Sequence, residues 1–179
     1  MDTIQQFDTI QARQALPQLM QLLRDAVDHG ASLGFIPPLN LQLAERYWLD
    51  VFQAMENGSR ILLVAKRGSE FIGTVQLDLC MRQNGLHRAE VTKLLVHTAY
   101  RRQGIGEALM RAIEDQARQA HRTTLVLDTR VGNPAEKLYT KLGYQRAGVI
   151  PDYVCIENGL LVATAIYYRL LNTNPNGGR

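Results

Sequence analysis

The chain is poor in cysteine, in long apolar runs and in any excess of one charge. It carries 2 cysteines in 179 residues, Cys80 and Cys155, with no C-x-x-C spacing and no histidine pattern to complete a zinc site. A disulfide scaffold and a structural metal are therefore not expected, and two free, buried thiols fit a reducing cytoplasm. No apolar run approaches the roughly eighteen residues that a membrane-spanning helix needs. The start, M-D-T-I-Q-Q-F-D, lacks the basic region and apolar stretch of a signal peptide. Net charge is only +3, and the basic residues are scattered among acidic ones, which argues against a nucleic-acid-binding face. Internal repeats, low-complexity segments and linkers are also missing. A single domain over residues 1–171 is expected, with a polar, glycine-rich tail over 172–179 that frays.

What is present is ordinary for a globular protein: 46% apolar and 21% charged residues. A weak first strand is read over Thr3 to Ile10, then a helix over Ala12 to Val27 with Leu16, Leu19, Met20, Leu23 and Val27 on one face. The loop Gly30 to Leu39 presents Leu33, Phe35 and Ile36 between breakers, and either packs down as a lid or contacts ligand. A helix over Leu41 to Met55, capped by Asn40, leads into strands at Arg60–Lys66 and Glu70–Met81, joined by a tight turn. A third consecutive strand, His87 to Val96, completes an antiparallel meander. A helix opened by Gly104 reaches about His121. Then come a strand over Thr123–Thr129, a helix from Asn133-Pro134 to Gly143, and strands at Tyr144–Val149 and Leu161–Leu171.

The densest stretch runs from Thr92 to Leu109, T-K-L-L-V-H-T-A-Y-R-R-Q-G-I-G-E-A-L. The order strand, turn, helix leaves bare amides and the positive end of a dipole at the helix start, a natural seat for a pyrophosphate. Gly104 and Gly106 let the main chain approach the anion, and Arg101 and Arg102 add donors. A dinucleotide fingerprint would need a third glycine where Leu109 stands, and the G-K-[ST] of a P-loop is missing.

The remaining pattern, R-x-x-G-x-G at Arg101, Gly104 and Gly106, resembles the acetyl-CoA motif of the GCN5-related N-acetyltransferases, and the element order β-α-α-β-β-β-α-β-α-β-β is similar to theirs. Within that family, H-G-A-S-L-G-F, Q-L-D-L-C, N-G-L-H-R-A-E-V-T-K-L-L-V, I-P-D-Y and T-A-I-Y resemble the tabtoxin resistance acetyltransferases of plant-associated bacteria, which acetylate an amino-acid-like β-lactam toxin. The resemblance implies an α/β (α+β) fold with a mixed, mostly antiparallel, seven-stranded sheet, four flanking helices, and fourth and fifth strands splayed apart. It also implies that acetyl-CoA, the co-substrate, is held by Leu94, Leu95, Val96, Arg101, Arg102, Gln103, Gly104, Ile105, Gly106, Glu107 and Asn133, with a backbone N–H of Val96 or Leu95 at the thioester carbonyl. The segment Asn133…Tyr139…Gly143-Tyr144 is similar to the family pattern N-x-x-A-x-x-x-Y-x-x-x-G-[FY]. It departs by one residue in the middle, where Ala135 and Glu136 stand. No metal is implied.

The chemistry sets further requirements. A free alkylammonium, with a pKa of roughly 10, must lose a proton before it attacks. Glu90 and Asp128, on strands that could share a cleft, are candidate bases, or strand and turn carboxylates with no such role. His87 is a third, in an exposed-looking turn. The departing thiolate needs a proton, since its pKa is about 8.5, and Tyr139 is the candidate donor or else a core aromatic. Cys155 as an acyl carrier has no histidine partner in sequence. Acceptor selection is expected in the loop Gly30–Leu39, with Phe35, and in the last hairpin, where Asp152, Tyr153 and Glu157 offer polar groups. The expected reaction is acetyl transfer to a small amine in a ternary complex, by a monomer or homodimer. The alternatives are acetylation of a protein N-terminus or lysine, and a non-catalytic acyl-CoA-binding regulator.

Overall fold

In the computed structural model, which describes residues 1–31 and 33–171, the chain forms a seven-stranded sheet of order β1-β2-β3-β4-β5-β7-β6. The expected tail at 172–179 and Ser32 of the loop lie outside the described residues. The strands are β1 (Asp2–Phe7), β2 (Arg60–Arg67), β3 (Glu70–Leu79), β4 (Arg88–Val96), β5 (Thr124–Arg130), β6 (Gln145–Cys155) and β7 (Leu161–Leu170). All pair antiparallel except β4 and β5, which are parallel. The helices are α1 (Thr9–Gln14), α2 (Leu16–Asp28), α3 (Leu41–Glu56), α4 (Ile105–Gln119) and α5 (Ala135–Lys141).

The single helix expected over Ala12 to Val27 is two. Asp8 and Gln11 form a reciprocal capping box, Asp8 Oδ1 accepting from Gln11 N–H at 2.7 Å and Gln11 Oε1 from Asp8 N–H at 3.0 Å, so β1 stops at Phe7 and α1 starts at once. Ala15 then leaves helical geometry, and Pro17 sits in the first turn of α2, where its missing N–H costs nothing. Five helices result where four are expected. The last hairpin differs too: β6 continues through Pro151 to Cys155, with its pairing to β7 interrupted between Ile150 and Val154. The expected loop there is strand.

Two cores bracket the sheet. On one face α4 and α5 bury Ile105, Leu109, Met110, Ile113 and Tyr139 against Ile72, Val75, Val91, Leu125 and Leu127. On the other, α1, α2 and α3 bury Leu19, Leu23, Trp48, Val51 and Phe52 against Phe7, Leu62, Val64 and Leu95. β2 serves both, Leu63 and Ala65 facing one core and Leu62 and Val64 the other, as a strand's period of two dictates. β5 has only one deeply buried face, Leu125 and Leu127, whereas Asp128 is exposed. Among the described residues no helix is long and apolar enough to cross a membrane.

The two faces meet at Gly73. A Cβ there would stand 2.7 Å from Leu95 O and 2.9 Å from Leu109 Cδ1, so β3, β4 and α4 close on a position with room for hydrogen only. Gly73→Ala is expected to destabilise the protein by about 1–3 kcal/mol, read as a lower midpoint of urea unfolding with unchanged slope. An unchanged midpoint would show that this junction is looser than described.

Candidate active site

The site begins with an irregularity in β4. Gln76 of β3 lies opposite Thr92, and Thr74 lies opposite Leu95, so two residues of β4, Lys93 and Leu94, face the single residue Val75. This is a β-bulge, and Lys93 takes it up with φ of 51°, a left-handed conformation uncommon outside glycine. The consequence is a change of parity. Before the bulge, Thr123 and Thr124 N–H donate to His87 O at 2.8 and 3.1 Å, and Cys80 N–H donates to Arg88 O at 3.2 Å. Odd-numbered residues thus turn their main chain to β5 and even ones to β3. After it, His97 N–H donates to Ile72 O at 3.0 Å, so Leu94 and Val96 now point away from β3.

What they point into is a gap. β5 pairs with β4 only at Arg88, Ala89 and Glu90, opposite Thr124, Leu125 and Val126, and the strands then diverge, as expected of the fourth and fifth strands. Arg101 Nε donates to Val96 O at 3.2 Å inside this opening, and no strand pairs with the Val96 N–H there. The side chains switch with the backbone. Ala89 and Val91 lie in the α4 core, Leu94 and Val96 pack against it, and Leu95 belongs to the opposite core.

Beyond the gap the chain turns through Thr98–Tyr100 into α4. Gly104 caps that helix with φ of 85°, open to glycine without strain. The first helical bond is Ala108 N–H to Gly104 O at 3.0 Å, and the amides of residues 102 to 107 donate to nothing among the described residues. A helix start with this many bare donors and flanking Arg101 and Arg102 fits an anion. The side chains of Gln103 and Glu107 are engaged elsewhere. Gln103 bridges Ala99 O and Arg67, and Glu107 accepts from Lys141 Nζ at 2.6 Å and Arg111 Nη2 at 2.8 Å, which holds its carboxyl below the usual range. Ile105 is 5% exposed, so it can offer only its amide.

The gap opens into a cleft of about 890 Å³. It gathers Glu90, Leu94, Leu95, Val96, Arg101, Gly106, Asp128, Asn133, Tyr139, Phe35 and Tyr153, which the sequence nominated separately. Arg102, Gln103, Gly104, Ile105 and Glu107 are not among the residues that line it. Asp152 is not brought in: it is exposed, with φ of 50°, and its neighbours Tyr153 and Cys155 line the cleft instead. His87 remains in its exposed turn. Loop residues Leu33 and Phe35 pack against the α2–α3 core and line the cleft as well. The cysteines are free but not buried, Cys80 being half-buried and Cys155 exposed.

Glu90 and Asp128 share a face of the sheet. Ala89 and Val91, Leu125 and Leu127 turn to α4, so Glu90 on β4 and Asp128 on β5 turn to the α2–α3 side. Partial burial, then the nearby carboxylates of Asp128 and Asp78, hold the Glu90 carboxyl above the usual range, against the pull of Lys93 and Arg60. Asp128 accepts from Thr164 Oγ1 at 3.1 Å. Tyr139 is 7% exposed and lines the cleft from the α5 side, and burial, with the Asp128 charge, raises its hydroxyl well above the ordinary tyrosine value. Asn133 Oδ1 accepts from Ala135 N–H at 2.9 Å, the ordinary service of a capping residue, which leaves its amide NH₂ to donate.

Sequence reasoning missed Lys93, Arg130 and Asp25. Lys93 lines the cleft with its ammonium 5.6 Å from the Tyr47 ring centroid, and desolvation holds its pKa below the usual lysine value. Nothing in K-L-L-V marks a bulge, since no glycine supplies the left-handed residue. Asp25, at the end of α2, accepts from Thr98 N–H at 2.8 Å and Thr98 Oγ1 at 2.7 Å, fastening the loop-bearing helix to the turn after β4.

Known proteins resemble this chain in sequence and in fold. The sequence model of the acetyltransferase (GNAT) family matches residues 19–144. An uncharacterized N-acetyltransferase from the hisH-hisA intergenic region of Azospirillum brasilense is 32% identical over 130 residues, 72% of this chain and 75% of that protein. The ribosomal-protein-alanine N-acetyltransferase of Brucella melitensis superposes with a TM-score of 0.77 at 20% identity, over 94% of this chain and 99% of that one. A Salmonella typhimurium protein solved with its cofactor acetyl-CoA gives 0.79 at 17% identity, over 99% and 98%. The two structures speak to the fold.

The Glu90 environment has a measurable consequence. A carboxyl whose pKa is raised by folding weakens the fold once it ionises, so the cost is absent below its ordinary value of 4.5 and grows as pH rises above it. Glu90→Gln should therefore raise Tm near neutral pH, by at most about 2 °C for so open a side chain, with the gain vanishing towards about pH 4. A gain that is constant across that range, or a loss at neutral pH, would contradict the assignment.

Proposed function

Because the chain belongs to the acetyltransferase (GNAT) family, we propose that it transfers the acetyl group of acetyl-CoA to the amine of a small molecule by direct attack, with both substrates bound together. The observation that carries this reading is one continuous path. It runs from the bare amides of residues 102 to 107, through the gap beside Val96, into a cleft with Glu90 and Asp128 on one side and Tyr139 on the other.

Each part of the path suits a part of the co-substrate. The amides of residues 102 to 107, with Arg101 and Arg102, grip a pyrophosphate at the positive end of α4. The main chain of Leu94 and Val96, freed from strand pairing, takes the place of a partner strand for pantetheine. The Asn133 amide donates from the α5 side. Leu95, whose main chain faces β3, contributes packing. The Val96 N–H is the fixed donor at which negative charge collects on the thioester carbonyl oxygen during attack.

The acceptor nitrogen loses its proton to Glu90 or Asp128, directly or through one water, and its lone pair forms the new bond to the carbonyl carbon. The raised pKa of Glu90 makes it a stronger base than an ordinary carboxylate at a pH where it is ionised. As the carbon–sulfur bond breaks, the sulfur takes the Tyr139 hydroxyl proton, and solvent restores it. Burial keeps that hydroxyl protonated and so able to donate, while making it a weaker acid than an exposed tyrosine. The products are an N-acetyl amide and the free thiol. Phe35 and Tyr153 supply the aromatic walls against which the acceptor packs.

A protein N-terminus is the rival acceptor, suggested by the resemblance to the ribosomal-protein-alanine N-acetyltransferase of Brucella melitensis. A panel that includes both free amines and short peptides separates the two. In that panel, Tyr139→Phe is expected to lower kcat by about tenfold or more while the affinity for acetyl-CoA stays unchanged. Full turnover by Tyr139→Phe would remove the tyrosine from the reaction, and the lack of any acetyl-CoA consumption by the native protein would favour a regulator that binds acyl-CoA without reacting.

A further inference from the structure

The reading above leaves two cations in the cleft without work. Neither Lys93 nor Arg130 forms a salt bridge among the described residues, although both line the cleft with Glu90 and Asp128. A half-buried arginine that offers five N–H donors and gives its side chain no protein acceptor calls for a ligand oxygen.

Strand periodicity fixes where Arg130 is. Leu125 and Leu127 turn into the α4 core, so Val126, Asp128 and Arg130 line the opposite face of β5. Asp128 and Arg130 start about 7 Å apart along that face, two residues at the strand rise. Arg130 also lines a smaller recess of about 100 Å³ beside the main cleft, with Phe35, Ile36, Cys155 and Glu157. It thus stands between the Gly30–Leu39 loop and the last hairpin, the two segments that border the acceptor. It is on the sheet face away from α4, so the pyrophosphate seat is not its target. Glu157 shares the recess, but it is exposed and makes no ion pair with the guanidinium.

Lys93 has a different place. Its ammonium lies over Tyr47 on the α3 side and is drawn to Asp128 and Glu90, so it offsets the charge of the base pair. The four groups together balance: Glu90 and Asp128 negative, Lys93 and Arg130 positive. A polyamine or aminoglycoside would meet two cations as well as two carboxylates there, whereas a zwitterion matches both signs at once.

Building on the acetyl-transfer reading, we propose that Arg130 binds a carboxylate of the acceptor, which makes the substrate class a free amino acid whose amine faces Glu90 and Asp128. The guanidinium pairs bidentately with the carboxylate in the recess, and that contact orients the amine towards the gap beside Val96. Arg130 is a specificity-determining residue in this account and takes no part in proton transfer.

The test uses matched pairs, each of the common amino acids and ornithine against its own carboxamide, with acetyl-CoA consumption and calorimetric binding both measured on the full chain. The best free acid should exceed its carboxamide by about tenfold or more in kcat/KM and in affinity. Arg130→Gln should erase that preference, mainly through the acceptor's KM, while the KM for acetyl-CoA stays within about twofold and Arg130→Lys restores part of the loss. A native preference for the carboxamides, an Arg130→Gln variant that keeps the acid preference, or one whose defect is in acetyl-CoA binding would each overturn the proposal. If no pair is acetylated while another amine of the wider panel is, the amino-acid proposal falls and the acetyl-transfer reading stands. The binding titrations still decide the subsite, because equal affinities for acid and carboxamide in the native protein would rule it out.

Discussion

One extra residue in β4 sets up everything else. Without Lys93 opposite Val75 the strand would keep its parity, and the main chain of Val96 would be spent on β3 as that of Arg88 is. With it, the amide and carbonyl of Val96 turn outward where β5 has already left, and Leu94 and Val96 join the α4 core while Leu95 changes sides. A left-handed lysine is a local cost, and bulges of this kind persist where the surroundings hold them. Here Gly73, closed in by Leu95 O and Leu109, and the Tyr47 ring beneath the Lys93 ammonium are those surroundings.

The bulge also divides labour between the two faces of the sheet. On the α4 face lie a bare helix start and Tyr139, suited to an anionic, thioester-bearing partner. On the α2–α3 face lie Glu90, Asp128 and Arg130, suited to a small partner with charges of its own. Residues of both faces line the cleft that opens from the gap. Asp25 ties the halves together, because it belongs to the helix that carries the Gly30–Leu39 loop and binds the turn that leads to α4.

Much of this was legible beforehand, where short-range chemistry decides. The Asn40 cap, the helix opened by Gly104 and the tight turn between β2 and β3 all read correctly because each depends on residues close in sequence. The break at Ala15 had a local signal as well, the Asp8–Gln11 box and Pro17, overlooked because the apolar period ran on across it. The length of β6 did not show, since Pro151 and Asp152 read as a turn although β7 pairs with the strand on both sides of them. The bulge had no signal at all: it answers to Gly73 and Tyr47, far away in sequence, and so the roles of Lys93 and Arg130 came only with the assembled sheet.

The most direct measurement is a crystal structure of the protein with coenzyme A bound. It should show the pyrophosphate oxygens accepting from the amides of residues 102 to 107, pantetheine lying between β4 and β5, and the sulfur beside Val96 and Tyr139. Coenzyme A lodged elsewhere, or a β4 that pairs with β5 along its whole length in that complex, would contradict the account.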